Sequence, residues 1–181
     1  MASSWSGLRK ELEKDYLCES LKGRVQYFLT HYHKAPDKLG RFAIRIDGKE
    51  VLMANPYDYY VKGYSNQEDI LKEQMKIPAR EWTGNETLYD EENKKAEEIV
   101  HKMAINDGVF DIYDILSSID EYKNTAINKS ISSENPIIRM FAVMDRRIGK
   151  RTLKKLIGEV KKQPHWLQFF YNLRLESEGI F

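Results

Sequence analysis

Residues 42–53 read Phe42-Ala43-Ile44-Arg45-Ile46-Asp47-Gly48-Lys49-Glu50-Val51-Leu52-Met53. Phe42, Ile44 and Ile46 alternate with Ala43 and Arg45, the period of two that places apolar side chains on one face of a strand. Asp47-Gly48 follows, and an Asp-Gly pair tolerates the positive φ that both central positions of a type I′ turn require. A hairpin is therefore expected here, with Val51 and Met53 carrying the apolar pattern onto the returning strand. Working upstream, Val25, Tyr27, Leu29 and His31 alternate with Arg24, Gln26, Phe28 and Thr30, and Pro36-Asp37-Lys38-Leu39-Gly40 supplies turn residues. The stretch from Arg24 to Met53 thus predicts a three-stranded antiparallel meander.

Ahead of it, Trp5, Leu8, Leu12 and Tyr16 recur at helical spacing behind Ser4, a good N-cap, with Gly23 as the stop. Leu17, Cys18 and Leu21 fall on the other side, so this helix is contacted on two sides or bends near Tyr16. Behind the meander only helical periods remain. Tyr57, Tyr59, Tyr60 and Tyr64 form a tyrosine-dense loop, Asn66 is placed to cap a helix through Ile70, Leu71 and Met75, and residues 78–85 read as a connector. Ala96, Ile99, Val100 and Met103 mark a long acidic helix closed by Gly108; Val109, Ile112, Tyr113, Leu116 and Ile119 mark the next. After a polar linker at 125–133, Asn135-Pro136 reads as a cap with proline at the first helical position. Ile137, Phe141, Met144 and Ile148 share a face beyond it. Leu153, Leu156, Ile157 and Val160, and then Trp166, Phe169, Phe170 and Leu173 behind Pro164, define two further helices.

The fold class expected is α+β: an N-terminal helix, a small antiparallel sheet of about three strands, and a C-terminal helical group packed on the sheet. At 181 residues the chain suits one domain, with residues 1–55 and 56–181 as subregions. The formal net charge of +1 hides a strong segregation. Residues 64–121 carry 15 acids against 6 bases, and residues 136–181 carry 10 bases against 4 acids. The simplest expectation is that these halves attract each other. One cysteine, Cys18, excludes an intrachain disulfide. No basic start precedes an apolar run, and no apolar stretch of about eighteen residues occurs, so a cytoplasmic protein without a membrane span is expected.

Glu98 and His101 have the Glu-x-x-His spacing of carboxylate metal sites, but no other histidine has a carboxylate three residues before it, and a solvated acidic face explains the pair. His31 and His33 point to one side of a strand without further ligands at metal spacing. Gly149-Lys150-Arg151-Thr152 lacks the first glycine and the Ser or Thr after Lys of a phosphate loop, and no dinucleotide-binding, nucleophile-elbow or zinc-protease string occurs. No cofactor or metal is expected. What remains is surface. If one helix runs from Pro136 to Lys150, Arg139, Arg146 and Lys150 share an arc, and Arg151 and Lys154 extend it. Tyr57, Tyr59 and Tyr60 offer large contact area at low entropic cost.

Trp5, Leu17-Cys18, Leu21-Lys22-Gly23-Arg24-Val25, Ile46-Asp47-Gly48-Lys49-Glu50, Asp145-Arg146-Arg147-Ile148-Gly149-Lys150-Arg151 and Phe170-Tyr171 together resemble a family of small uncharacterised bacterial cytosolic proteins. That resemblance implies a bacterial cytosolic origin and carries no site residue with it. The function expected from the residues is non-catalytic: a protein-interaction module, through a partner or through self-association, using Arg139, Arg146, Lys150, Arg151, Lys154, Tyr57, Tyr59 and Tyr60. The alternatives are a nucleic-acid-associated protein using the basic C-terminal helices, and an enzyme with a dispersed site near His31, His33, Asp37 and Arg41.

Overall fold

Ser4 opens helix α1 (Trp5–Glu11) by accepting a hydrogen bond from the Gly7 amide at 3.3 Å. In this computed structural model, which describes residues 4–31, 40–77 and 91–180, α1 loosens into one π turn over Leu12–Tyr16. The chain then bends: Leu17 is extended and forms an isolated antiparallel bridge with Asp145. Cys18 N donates to Met144 O at 3.0 Å and Arg146 N donates to Tyr16 O at 2.8 Å, so both neighbours of the bend are tied to the C-terminal half. This burial on the second side explains why Leu17, Cys18 and Leu21 are apolar.

The meander follows as β1 (Val25–His31), β2 (Gly40–Ile46) and β3 (Lys49–Ala54), in the order β1-β2-β3 with antiparallel pairing. Asp47 at φ 51° and Gly48 at φ 80° supply the two left-handed positions of the hairpin, and Arg24 clamps Asp47 at 2.7 and 3.0 Å. One expectation is corrected. Leu52 and Ala54 are buried, whereas Val51 and Met53 are exposed. A bulge between Ile44 and Arg45 pairs Ile44 with Leu52 in place of Val51, and a one-residue slip exchanges the faces of a strand.

Helices α2 (Asp58–Val61) and α3 (Tyr64–Gln74) occupy the stretch expected as a tyrosine loop. Asn55 Oδ1 accepts from the amides of Tyr57 and Asp58, which starts α2. Gly63 at φ 82°, not Asn66, stands at the N-cap of α3. The acidic helix is α4 (Glu91–Asn106), and Gly108 at φ 81° turns the chain into α5 (Ile112–Asn124). The inward stripe of α5 is Ile112, Ile115, Ile119 and Tyr122, leaving Tyr113 exposed. The polar segment 125–133 contains a short α6 (Ile127–Ser130) with Ser130 fully buried.

Helix α7 (Pro136–Met144) is capped by Asn135, whose Oδ1 accepts from the Ile137 amide, and has proline at its first turn. It was expected to have one apolar face reaching Ile148, and a shared arc of Arg139, Arg146 and Lys150 required it to run on to Lys150. Both points are corrected: Ile137, Ile138, Met140, Phe141, Ala142, Val143 and Met144 are all buried, and the helix ends at Met144. A helix apolar on all sides is a central one. The Phe141 ring lies 5.9 Å from Tyr27 of β1 and 5.7 Å from Tyr122 of α5, which joins sheet and helices in one core. Helix α8 (Lys150–Leu156), a 3₁₀ turn over Ile157–Lys162 and α9 (His165–Ser177) close the chain, with Phe169 exposed against expectation. A second small cluster, Tyr64, Val100, Ala104 and Val109, holds α3 against α4 apart from the main core.

Candidate functional site

Asp111 sits at the N-cap of α5, where orphan amides need an acceptor. Its side chain accepts from the Tyr113 amide, and Asp114 Oδ2 reaches back to the Asp111 amide at 2.8 Å, completing a capping box. The other oxygen of Asp114 faces α4 and meets His101 Nε2 at 2.8 Å. Nδ1 of His101 has no hydrogen-bond partner among the described residues. The hydrogen bond to Asp114 raises the His101 pKa above its ordinary value against partial burial, and the charges of Asp114 and Asp111 add to the rise.

Two cavities share this His–Asp pair. One, of about 390 Å³, is walled by Pro56, Tyr59, Tyr60, Glu97, Glu98 and Asp111. The other, of about 500 Å³, lies toward Ile105, Asn106, Ser117, Asn135 and Ile137. Neither cavity places a serine hydroxyl on the imidazole. Ser117 Oγ donates to Tyr113 O and Ser118 Oγ to Asp114 O, so both hydroxyls are committed to helix carbonyls and neither reaches the imidazole. Among the described residues no group of three His, Cys, Asp or Glu side chains is placed to hold a metal ion.

The tyrosines divide between frame and surface. Tyr59 stacks on Tyr64 at 5.5 Å and donates to Glu68, while Lys72 bridges Glu68 at 2.7 Å and Glu97 at 2.9 Å. Burial, reinforced by Glu68, pushes the Tyr59 hydroxyl up to about 12, so it stays protonated. Tyr57 and Tyr60 are exposed. A shallow groove of about 200 Å³ continues between α3 and α4 over Ile70, Leu71, Ile99 and Met103.

The basic residues are divided in the same way. Arg139 is withdrawn from the surface: its guanidinium donates to Gln163 Oε1 and to the carbonyls of Ser133 and Glu134. It does not share an arc with Arg146 and Lys150, because α7 stops between them. Arg146, Lys150, Arg151 and Lys154 are exposed along the turn after α7 and along α8, with Lys155 and Lys161 beside them. Lys150 leans on Glu178, and Arg147 is spent on Asp145. The expected attraction between the acidic and basic halves is absent among the described residues: no ion pair joins 64–121 to 136–181.

For the dispersed-site alternative, Arg41 pairs with Glu50 across the hairpin, whereas His33, Asp37 and the side chain of His31 lie outside the described residues. The His101–Asp114 pair was not foreseen. Asp111-x-x-Asp114 ahead of an apolar stripe is a capping pattern that points to the helix start, but nothing in it indicates the histidine.

His101→Gln gives the first prediction. The folded-state pKa is raised, so the pair's stabilisation is full below the unfolded value of about 6.5 and is lost as pH rises through the folded value. Urea midpoints of wild type and variant are expected to differ most below about pH 6 and to converge at alkaline pH, with a gap of about 1 kcal/mol or less for so exposed a pair. A gap that widened with pH would contradict the assignment.

These features define an α+β protein whose described surface offers cavities, exposed aromatics and segregated charge. Residues 4–175 match the model of the SF0329 protein family, and the chain belongs to that family. No curated protein and no solved structure matches it.

Proposed function

We propose that the chain is a non-catalytic protein-interaction module of the bacterial cytosol, and that its docking face is the side built by α2, α3, α4 and the start of α5. One observation carries this reading. Of the twelve large apolar side chains exposed among the described residues, eight lie between Tyr57 and Tyr113: Tyr57, Tyr60, Val61, Ile70, Met75, Ile99, Met103 and Tyr113. Ile70, Ile99 and Met103 line one groove and Tyr60 walls one cavity; exposed apolar groups gathered at a groove mark a contact surface, and tyrosine and methionine are enriched in such surfaces. The two cavities and the α3–α4 groove give that side relief. The single, buried Cys18 is compatible with a reducing compartment.

The triple change Ile70→Ser, Ile99→Ser, Met103→Ser tests it. These side chains are already half in water, so the unfolding free energy is expected to fall by about 1.5 kcal/mol or less in total. The complex that the full chain forms in its own cells, followed by native size fractionation, should be lost. A complex of unchanged size with a properly folded variant would remove this face from the account.

Five cations, Arg146, Arg151, Lys154, Lys155 and Lys161, make no ion pair among the described residues, and this favours a second reading in which phosphate backbones meet α8. Such binding would weaken steeply with salt, with a log–log slope of several units, and Lys154→Ala would reduce the slope by about one.

A further inference from the structure

The cavity of about 390 Å³ beside His101 forms where α2, α3, α4 and the start of α5 converge, and each element contributes for a local reason. Asn55 starts the single turn of α2, which sets the rings of Tyr59 and Tyr60 at 5.9 Å and 81° to one another. Glu97 and Glu98 stand four and three residues before His101, so α4 presents all three on one face. Asp111 and Asp114 are the capping pair that opens α5, and Glu68 comes from α3. The wall thus carries five carboxylates and, among the described residues, no lysine or arginine.

Part of that charge is met from outside the wall. Lys72 bridges Glu68 and Glu97, the amides of Asp111 and Tyr113 bind the two aspartates, and His101 shares Asp114. Glu98 is exposed and makes no ion pair among the described residues. Lys94 and Lys95 are exposed on the same helix and Lys102 walls the second cavity, but none of the three lines this one. One face of Tyr59 is taken by Tyr64, whereas Tyr60 is 68% exposed and free to cover a ligand. A divalent metal needs several oxygens converging on one point, and no such group occurs among the described residues. An ammonium or guanidinium group instead donates several N–H bonds to separate acceptors, and its charge and apolar stem both suit a tyrosine ring. The volume lies within the range of small-ligand sites.

We propose that this cavity is a binding site for an organic cation, an alkylammonium or alkylguanidinium group, with Glu98 and Asp111 accepting its N–H groups and Tyr60 covering its stem. A free polyamine and the lysine or arginine side chain of a protein carry the same chemistry. The site goes beyond the docking-face reading and does not depend on it. His101 faces Tyr59 of α2, Asp111 and Asp114 of α5, Glu134 across the second cavity, and Glu97, Glu98 and Lys102 on its own helix. Its protonation adds a positive charge to the wall, so binding of a cation weakens as pH falls through the raised His101 pKa.

Isothermal titration calorimetry of the full chain tests this at about pH 8 and about 0.15 M salt, where the Debye length is about 8 Å. Cadaverine and agmatine serve as free cations, capped Ala-Lys-Ala and Ala-Arg-Ala peptides carry the two side chains, and pentanol and magnesium chloride are controls. Saturable one-to-one binding of an amine or a peptide is expected, with none from the controls. Tighter binding of the free amines identifies a small-molecule site; peptides bound at least as tightly identify a side-chain pocket. Tyr60→Ala and Glu98→Gln change exposed positions, keep the fold by circular dichroism, and should each weaken binding by about threefold to fivefold. At about pH 6 the wild type should bind about threefold more weakly, and His101→Gln should remove that difference. No saturable binding at millimolar ligand, binding indifferent to Tyr60→Ala and Glu98→Gln, or magnesium bound as tightly as the amines would each overturn the proposal. Loss or survival of the cellular complex in Ile70→Ser/Ile99→Ser/Met103→Ser bears on the docking face alone, since those side chains line the α3–α4 groove and not this cavity.

Discussion

Arg174→Leu is expected to lower the unfolding free energy by about 3–5 kcal/mol, a large part of the total for a chain of this size. Arg174 lies in α9 with only 3% of its surface exposed. Its guanidinium donates to Val143 O at 3.2 Å and Ile148 O at 3.1 Å, on either side of the α7–α8 turn, and also to Ser20 Oγ and the Glu178 carboxylate. One side chain thus fastens the N-terminal bend, the end of the central helix and the C-terminus. Leucine would leave both carbonyls without that donor and Glu178 without its strongest partner. Burial disfavours the Glu178 charge, but the hydrogen bonds from Arg174 and Ser20 outweigh it and hold its pKa below the usual range. Urea denaturation of Arg174→Leu/Glu178→Leu should therefore show a smaller loss than the single variant, because an unpaired charge costs more than a missing pair. A single-variant loss under about 1 kcal/mol would show that this network contributes little.

Asp145→Asn is expected to cost about 2–4 kcal/mol by the same measurement, for a related reason. The Asp145 carboxylate is fully buried. It accepts from the Arg147 amide at 2.7 Å, from Arg147 Nε at 2.9 Å and Nη2 at 2.6 Å, and from the Tyr122 hydroxyl. Burial first, and then the neighbouring carboxylate, push the Tyr122 pKa up, so tyrosine is the donor. Asparagine is nearly isosteric but places an N–H₂ group among donors and leaves the Arg147 cation without its counter-ion. Arg147 is 37% exposed and can turn to water, which makes this loss smaller than that for Arg174. Tyr122→Phe, which removes one donor and leaves the charge pair, should cost only about 1 kcal/mol.

These two networks also show where sequence reading stops. The Asp47-Gly48 turn and the Asn135-Pro136 cap were legible because each depends on a few adjacent residues and their φ preferences. The exchange of Val51 and Met53 for Leu52 and Ala54 was not, because the bulge that leaves Val51 of β3 unpaired opposite Ile44 and Arg45 arises from how the strands pair and not from the alternation within either one. The end of α7 at Met144 was missed for a similar reason. Asp145 stops the helix because Leu17, Tyr122 and Arg147 are waiting for its backbone and carboxylate, and they come from three places in the chain. The string Asp145-Arg146-Arg147, attractive as a charged motif, contains one structural pair and one exposed cation. Arg139 was placed on the surface by helical spacing alone, yet α7 is buried on every side and its arginine is taken up by Gln163 and two carbonyls. Of the expected contact residues, Tyr57, Tyr60, Arg146, Lys150, Arg151 and Lys154 are exposed, while Tyr59 belongs to the packing of α2 on α3. The cleft at His101 requires α4 and α5 to fold back on one another at Gly108, a long-range fact for which the residues give only the turn.

Position-resolved photo-crosslinking in living cells probes the docking face. A photoreactive amino acid is placed at position 103, in the α3–α4 groove, and, in a separate full-length chain, at exposed position 49 on the hairpin. A discrete protein adduct is expected from position 103, none of comparable yield from position 49, and loss of the first when Ile70→Ser and Ile99→Ser are added. No adduct from position 103, or one that those substitutions leave unchanged, would contradict it.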